Sequence, residues 1–472
     1  MQVRPGGALG VVRVPNTLLK QEIKQRMSKR WAWLVGLVVL ILVAFLIACG
    51  NTYNPASNGL VIVGSQGSGL LETFSFSLLA GNNIPIQNSP LNTQLQTCQL
   101  NGVPTSIVLD PKGIYAYTIV NGSTCPKGKT GIQVFQTQNN GNLTTVGSLI
   151  SDPNPTSLAM DPAGKFLFVA EGTNSYAGAT VGGTPAQPCP GTTTQYGVCV
   201  YAIGSGGSLT SVAGTSTFVL PPGFQTPNFA AVAPTPTVLP PLQNGVTSAV
   251  CSNPANNALT TEYLYVADST NGVVWEYGVN TSTGALTDPP NQTSIPWFPT
   301  TGQVASVLTV PSGIVVEPCN RFVYATNLLS NTVAGFSICN GLPTQSPQCP
   351  AKLDGSLYAV TGSPFSLTGV ANGPGPLVSD PFGNNIYVLN TLSNSISPFH
   401  ISPVSGTLQA GVGVTTGLMP TSIAIRGDDN WLFVTNFNSG TMSQYSIAPA
   451  TGALSGFPAI TTDNYPYGVA VK

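Results

Sequence analysis

The sequence predicts an all-β protein: a seven-bladed β-propeller of four-stranded antiparallel blades. Three observations carry that reading. One four-strand pattern fills most of the chain, it recurs seven times, and the two ends complement each other: the first copy lacks a first strand, and an orphan strand stands at the C-terminus. The clearest copy is 420–447, PTSIAIRGDDNWLFVTNFNSGTMSQYSI, followed by APATGALSGFPAI. Residues 421–425 alternate polar and apolar, RGDDN is a turn cluster, and 431–435 is a β-branched and aromatic run. Asn438-Ser439-Gly440 turns the chain again, 442–447 forms a third strand, and Thr451-Gly452-Ala453-Leu454 leads into a fourth.

The remaining copies follow in order. The first has a strand at 59–65 with no Pro-Thr-Ser strand before it. The second predicts strands at 104–111, 114–119, 131–135 and 141–143, and the third at 155–162, 165–170, 197–203 and 207–209. A Pro-rich insertion at about 215–245, LPPGFQTPNFAAVAPTPTVLPPLQNG, is expected to be an extended loop rather than an element. The fourth copy then runs 247–251, 262–267, 272–279 and 284–286. The fifth has 311–318, 321–326, 332–338 and 355–357, and the sixth 376–381, 385–389, 395–401 and 406–408. The orphan, 466–471 (PYGVAV), matches PTSIAI, so it is predicted to complete the first blade and close the ring, which removes exposed sheet edges. The propeller is expected to occupy 59–472.

Composition fits an exported all-β protein. Hydrophobic residues make up 42% of the 472, enough for a large core, whereas charged residues reach only 7%, far below the usual quarter. A net charge of −1 leaves no basic footprint for nucleic acid. At the N-terminus, Lys29-Arg30 precede the apolar run 31–48, which ends Leu46-Ile47-Ala48-Cys49. A basic segment, an apolar core and small residues before the break make a secretory signal over 1–48, with translation starting at Met1 or at Met27. LIAC resembles the bacterial lipobox, which implies lipidation of Cys49, a polar tether over 49–58 and a membrane-held protein facing periplasm or cell surface. An uncleaved membrane anchor is the other reading of the same run. Apart from Cys49 there are eight cysteines, an even number that suggests disulfides in an oxidising compartment; Cys189/Cys199 and Cys339/Cys349 would each close a short loop. No C-x-x-C occurs and His400 is the only histidine, which argues against a structural zinc site.

The repeated P-T-S-[IL]-[AV]-x-D-P-x-G, the aromatic-rich strand, x-N-x-x-S-x-T-[VM] and T-G-x-L together resemble the seven-bladed propeller lactonase family of the 6-phosphogluconolactonase type. The resemblance covers about 59–472. It implies the propeller fold and hydrolysis of sugar lactones, and no catalytic residue of that family maps onto this sequence.

In such a blade the entry to the first strand and the connection between second and third strands share one face. Counting from the turn residues places Ser65, Asn121, Glu171, Asp268, Asn327, Asn390 and Asn436 at corresponding ends of second strands, around one channel mouth. Glu171 and Asp268, in neighbouring blades, are the candidate catalytic pair, as metal ligands or general base. With Asn121, Asn327, Asn390 and Asn436 they form a candidate oxygen-ligand set for a hard cation such as Ca²⁺, able to polarise a lactone carbonyl. The competing reading is that these side chains bond to backbone in the next turn. Asp110, Asp161 and Asp380, each before a proline, read as tight-turn residues on the opposite face. Arg321 and Arg426 also sit near that face. Trp431, Phe433, Tyr265 and Tyr387 read as inter-blade packing, and Trp275 and Trp297 as candidates for a sugar-binding surface. The expected function is a monomeric cell-envelope binding or interaction module with a carbohydrate or protein ligand. The alternative is a lactone hydrolase.

Overall fold

Short β-branched and aromatic runs punctuated by Gly, Asn, Asp and Pro can satisfy their backbone only by pairing with one another, and antiparallel meanders are the cheapest way to do so. The computed structural model describes residues 58–77, 92–96, 103–122, 130–138, 141–152, 155–171, 198–212, 230–234, 262–269, 272–287, 310–339 and 355–472. The N-terminal apolar run, Cys49, Cys98, Cys125, Cys189, Cys251, Cys349 and Trp297 lie outside them.

The described residues form seven antiparallel sheets of four main strands. Sheet 1 joins Pro466–Val471, Asn58–Ser65, Leu70–Ser77 and Asn92–Gln96. Sheet 2 comprises Val103–Leu109, Tyr115–Asn121, Gly131–Thr137 and Leu143–Ser151. Sheet 3 runs Pro155–Met160, Phe166–Glu171, Val198–Ile203 and Leu209–Ser211. Sheet 4 has Ala230–Pro234, Glu262–Asp268, Val273–Val279 and Leu286–Thr287. Sheet 5 has Pro311–Val316, Phe322–Asn327, Thr332–Ile338 and Leu357–Ala359. Sheet 6 has Pro374–Ser379, Asn385–Asn390, Ser395–Ile401 and Leu408–Ala410. Sheet 7 has Pro420–Ile425, Trp431–Asn436, Thr441–Ile447 and Leu454–Thr461. The architecture is an all-β propeller of four-stranded antiparallel blades. In each sheet the first strand lies at one edge and borders the first strands of the adjoining sheets. Pro466–Val471 pairs with Asn58–Ser65, Val61 facing Val471 and Ser65 facing Pro466.

One predicted element is corrected. The first strand of sheet 4 is Ala230–Pro234, inside the Pro-rich insertion expected to be a loop; 247–251 lies outside the described residues. Ala230 faces Asp268 and Pro234 faces Leu264. A first strand has a ladder partner on one side only, so a missing N–H is tolerated there. Prolines stand in the first strand of every sheet for the same reason: Pro104, Pro155, Pro234, Pro311, Pro374, Pro420 and Pro466.

The core lies between sheets. Trp431 and Phe433 of sheet 7 pack with Val61, Val63, Phe74 and Phe76 of sheet 1, and Tyr265 and Tyr387 pack likewise toward sheets 5 and 7. A polar latch accompanies this packing. The hydroxyls of Tyr117, Tyr265, Tyr324 and Tyr387, each in a second strand, donate to the carbonyls of Gly207, Gly355, Gly406 and Gly452 in the next sheet, at 3.2, 2.6, 2.8 and 3.0 Å. Those glycines stand at φ 77°, 78°, 71° and 68° in the turn between third and fourth strands, a left-handed conformation that a side chain would strain. A Cβ at Gly406 would also meet the Phe322 ring at 2.5 Å. The T-G-x-L signal is therefore the receiving end of an inter-sheet hydrogen bond.

Candidate functional site

Strand register confirms the equivalence of the seven positions. Ser65, Asn121, Glu171, Asp268, Asn327, Asn390 and Asn436 each close a second strand opposite the first residue of the neighbouring first strand, except that Ser65 faces Pro466 across a register shift at the same end. This end of each sheet, with the second-to-third connection and the entry to the first strand, is the mouth side. All but the half-buried Asn121 are buried.

Their side chains reach across the hairpin to the third strand. Asn390 Nδ2 donates to Ser395 and Ser397 at 3.1 and 2.9 Å, and Asn436 Nδ2 to Thr441 and Ser443 at 3.1 and 2.9 Å. Asn327 Nδ2 donates to Thr332 at 3.0 Å. Asp268 Oδ2 accepts the Trp275 indole N–H at 3.1 Å, so Trp275 is a buried tether and not part of a sugar-binding surface. Ser65 Oγ donates to Glu72 Oε2 at 3.5 Å. The recurrent Asn is thus a hairpin clamp, and its amide donors are directed at hydroxyls.

The backbone of the mouth is held in an unusual way. Val310, Gly373, Met419 and Tyr465, each just before the proline of a first strand, have φ of 57°, 68°, 53° and 58°. Their carbonyls accept from the N–H groups of Leu328, Thr391, Phe437 and Gln66 at 3.1, 2.9, 2.9 and 2.9 Å, each the residue after a clamp. Left-handed Val, Met and Tyr cost about 1–3 kcal/mol each and persist only where surroundings over-determine them. Asn331 Oδ1 and Asn394 Oδ1 supply part of that constraint by accepting from Gly373 and Met419 in the next sheet, at 2.9 and 2.7 Å.

Sequence reasoning missed the polar group that this backbone assembles. Glu72, in the third strand of sheet 1, sits where Ser397 and Ser443 sit in their sheets, seven residues beyond the clamp position. Its Oε2 accepts the Asp463 N–H at 2.8 Å. Ser68 Oγ donates to the Asp463 carboxylate. Burial pushes the Glu72 carboxyl up to about 7; the Asp463 N–H opposes that, the Asp463 charge adds to it, and the Ser65 hydroxyl opposes it. Two residues past Asp463, Tyr465 packs on Phe437 with ring centroids 4.9 Å apart, and Phe437 meets Tyr467 at 6.2 Å. Tyr465 is 49% exposed. Gly67 lets these pieces close up, since a Cβ there would lie 2.8 Å from Asn464 and Tyr465.

Glu171 and Asp268 occupy matching positions in sheets 3 and 4, yet their neighbours differ. Potential ligand atoms of Glu171, Asp152 and Cys199 lie within 4.8 Å of one another, and Asp268 is not among them. Beside the Cys199 sulfur the group offers two carboxylates, fewer than the roughly six to eight oxygens Ca²⁺ takes. Tyr201 donates to Asp152 Oδ2 at 3.0 Å, and its hydroxyl is held protonated by burial and by the charges of Asp152 and Glu171.

On the opposite, turn side, the Asp-Pro carboxylates serve their own turns. Asp110, Asp161 and Asp380 accept backbone N–H groups of their own turns. Buried Arg321 pairs with Glu317 at 3.0 Å and donates to the Pro403 and Gly383 carbonyls. Arg426 pairs with Asp428. His400 Nδ1 lies 3.2 Å from Asn385 Oδ1 on this same side, away from the mouth.

Residues 360–471, which contain sheets 6 and 7 and the closing strand, match the family described as lactonase, 7-bladed beta-propeller. That segment resembles a lactonase-type propeller. Solved structures share the fold of the chain as a whole. The periplasmic gluconolactonase PpgL of Pseudomonas aeruginosa superposes with TM-score 0.60 at 18% identity, covering 88% of this chain and 99% of that one. A protein of Bacteroides fragilis, provisionally named a 6-phosphogluconolactonase, gives TM-score 0.59 at 16% identity, covering 88% and 98%. A similarly named protein of Bacteroides uniformis gives 0.54 at 18%, covering 88% and 100%. No curated protein matches the chain. At these identities the structures speak for the propeller fold alone and leave the chemistry to the residues.

Proposed function

We propose that the chain is a lactonase-type hydrolase that opens the ring ester of a sugar lactone at the mouth side of a single closed seven-bladed ring. The match of residues 360–471 to the lactonase propeller family carries this reading. It favours the hydrolase over the binding module expected from sequence. Ring closure is supported by the pairing of Pro466–Val471 with Asn58–Ser65.

In the proposed reaction a water oxygen adds to the lactone carbonyl carbon, the acyl–ring-oxygen bond breaks, and the proton taken from water ends on the departing ring oxygen as a hydroxyl. The product is the open hydroxy acid. Glu72 is suited to accept that proton, because a carboxyl near neutrality is both ionised often enough and basic enough to act as general base. Glu171 and Asp268 are the other candidate acids on this side. Calcium assistance at Asp152 and Glu171 is tested by assay with and without added Ca²⁺.

The test is hydrolysis of a panel of sugar lactones by the purified chain and its Glu72→Gln, Glu171→Gln and Asp268→Asn variants. Turnover that falls about 10²-fold or more in one variant places the base. Absence of turnover above background by folded protein contradicts the reading. We further propose that the protein is an exported monomer, membrane-held through Cys49, with Cys189/Cys199 and Cys339/Cys349 as disulfides. Labelling with a clickable palmitate analogue should be lost in Cys49→Ala, and retained label would refute the anchor.

A further inference from the structure

Residues that build the blade recur from sheet to sheet, so a residue that breaks the repeat at an exposed position serves something other than the blade. Three positions on the mouth side break it at one seam, between sheets 7 and 1. The residue before the first-strand proline is Val310, Gly373 and Met419 in sheets 5, 6 and 7, but Tyr465 in sheet 1. The residue after that proline is Thr105, Thr156, Ser312, Gly375 and Thr421 in sheets 2, 3, 5, 6 and 7, but Tyr467 in sheet 1. The residue after the clamp is Leu328, Thr391 and Gln66 in sheets 5, 6 and 1, but Phe437 in sheet 7. The connections that frame this seam, 66–69, 416–419, 437–440 and 462–465, all belong to the described residues.

The three aromatics meet. Phe437 and Tyr465 pack with ring centroids 4.9 Å apart and planes inclined by 33°, and Tyr467 stands edge-on to Phe437 at 6.2 Å. They are not part of the core that joins these sheets, which is built by Trp431, Phe433, Phe74 and Phe76, and Tyr465 and Tyr467 stay 49% and 37% exposed. The backbone beneath them is nonetheless pinned. The Phe437 N–H donates to the Met419 carbonyl, the Gln66 N–H to the Tyr465 carbonyl, and the Thr421 and Thr435 hydroxyls to the Tyr467 carbonyl, each at 2.9 Å. Tyr465 is held there at φ 58°, a strain that glycine at the matching position of sheet 6 does not carry. Aromatic surface ordered in advance and left open to solvent loses little conformational freedom when a ligand covers it. Asn438 and Asn464, both exposed, adjoin Phe437 and Tyr465 in the chain, and an amide offers a hydroxyl both donor and acceptor.

A pyranose with equatorial hydroxyls has the complementary form: a C–H face that lies against an aromatic ring and a rim of hydroxyls for neighbouring amides. We propose that Phe437, Tyr465 and Tyr467 form a stacking platform that binds the C–H face of such a sugar ring at the seam of sheets 7 and 1. The proposal deepens the lactonase reading and rests on it for what happens to the bound ring. The link between the two is Asp463, two residues before Tyr465, whose N–H donates to Glu72.

The repeat itself supplies substitutions that delete rings and keep the fold: Tyr465→Gly, as in sheet 6, and Tyr467→Thr, as in sheet 7. Binding of methyl β-D-glucopyranoside and methyl β-D-xylopyranoside, which are not lactones, is measured on the purified chain by saturation-transfer NMR, with folding checked by melting temperature. Expected are saturation concentrated on the protons of one ring face and about tenfold weaker binding in each variant. Tyr465→Phe, which keeps the ring, and Leu392→Ala, which trims an equally exposed residue of sheet 6, should bind as the parent does. With glucono-1,5-lactone the two ring deletions should raise KM and leave kcat nearly unchanged. Glycoside binding that needs the rings, in a chain without lactone turnover, would sink the hydrolase and leave the platform standing. No glycoside binding by the folded parent, binding that both deletions leave intact, or equal loss in Leu392→Ala would each overturn the platform, whatever the turnover.

Discussion

The turn side and the mouth side are built from the same repeat and both bury acids beside acids, but among the described residues only the turn side pairs a carboxylate with a cation. On the turn side carboxylates are consumed locally: Asp161 accepts the Lys165 and Phe166 N–H groups, and Glu317 is bonded to Arg321 and to the Cys319 N–H. On the mouth side Glu72 meets a neighbouring acid, Asp463, while Met419 and Tyr465 are held left-handed. Turns that recur to hold sheets together can be optimised for stability. A surface that keeps carboxyls away from cations and stores backbone strain has been shaped by something else, and function is the usual beneficiary.

The largest expected effect breaks the turn side. Arg321→Ala leaves Glu317 buried and uncompensated, and should cost about 3–5 kcal/mol in urea unfolding. Arg426 is buried too, but its partner Asp428 is exposed, so that pair would be worth less and Arg321 is the sharper cut. Next comes the latch. Tyr324→Phe removes a buried donor from the Gly406 carbonyl and should cost about 1–3 kcal/mol, leaving lactone turnover unchanged.

The pH dependence of stability should also come mainly from the turn side. Burial pushes Glu262 up to about 8, aided by the Asp161 charge, and Asp429 up to about 8, aided by Asp380. Carboxyls raised in this way bind protons more tightly folded than unfolded. The stability they contribute is complete below about pH 4 and is lost as pH rises through about 8. The melting temperature should therefore fall between pH 5 and pH 9, and Asp429→Asn should flatten that slope. A melting temperature that rises across this range would show that other groups dominate. The smallest effect belongs to the mouth. Met419→Gly, which gives sheet 7 the residue that sheet 6 has at Gly373, should relieve the left-handed strain and change stability by no more than about 1 kcal/mol, with the gain offset by chain entropy.

Much of the fold was legible in the sequence. The strand 466–471 was predicted with the bounds the structure has, because PYGVAV repeats PTSIAI in a chain where that phrase opens blades. The clamp positions could be counted from the Asp-Pro turns. The first strand of sheet 4 could not, because Ala230–Pro234 hides in a Pro-rich stretch that argues against a strand unless the edge position is already known. The latch was equally hidden: Tyr324 and Gly406 are 82 residues apart, and only the stacking of sheets joins them. Glu72 and Asp463 are separated by 391 residues and meet because the last strand returns to the first sheet. Extending the repeat alignment seven residues past the clamp would have exposed Glu72, a carboxyl where Asn390 and Asn436 find serines.

The most direct test of the account is the hydrolysis of glucono-1,5-lactone by the purified chain beside Glu72→Gln, with folding of both verified by circular dichroism. The account predicts turnover above background that falls about 10²-fold or more in the variant while the melting temperature is kept. Turnover that Glu72→Gln leaves unchanged would move the chemistry away from this corner of the mouth, and no turnover by either protein would contradict the hydrolase.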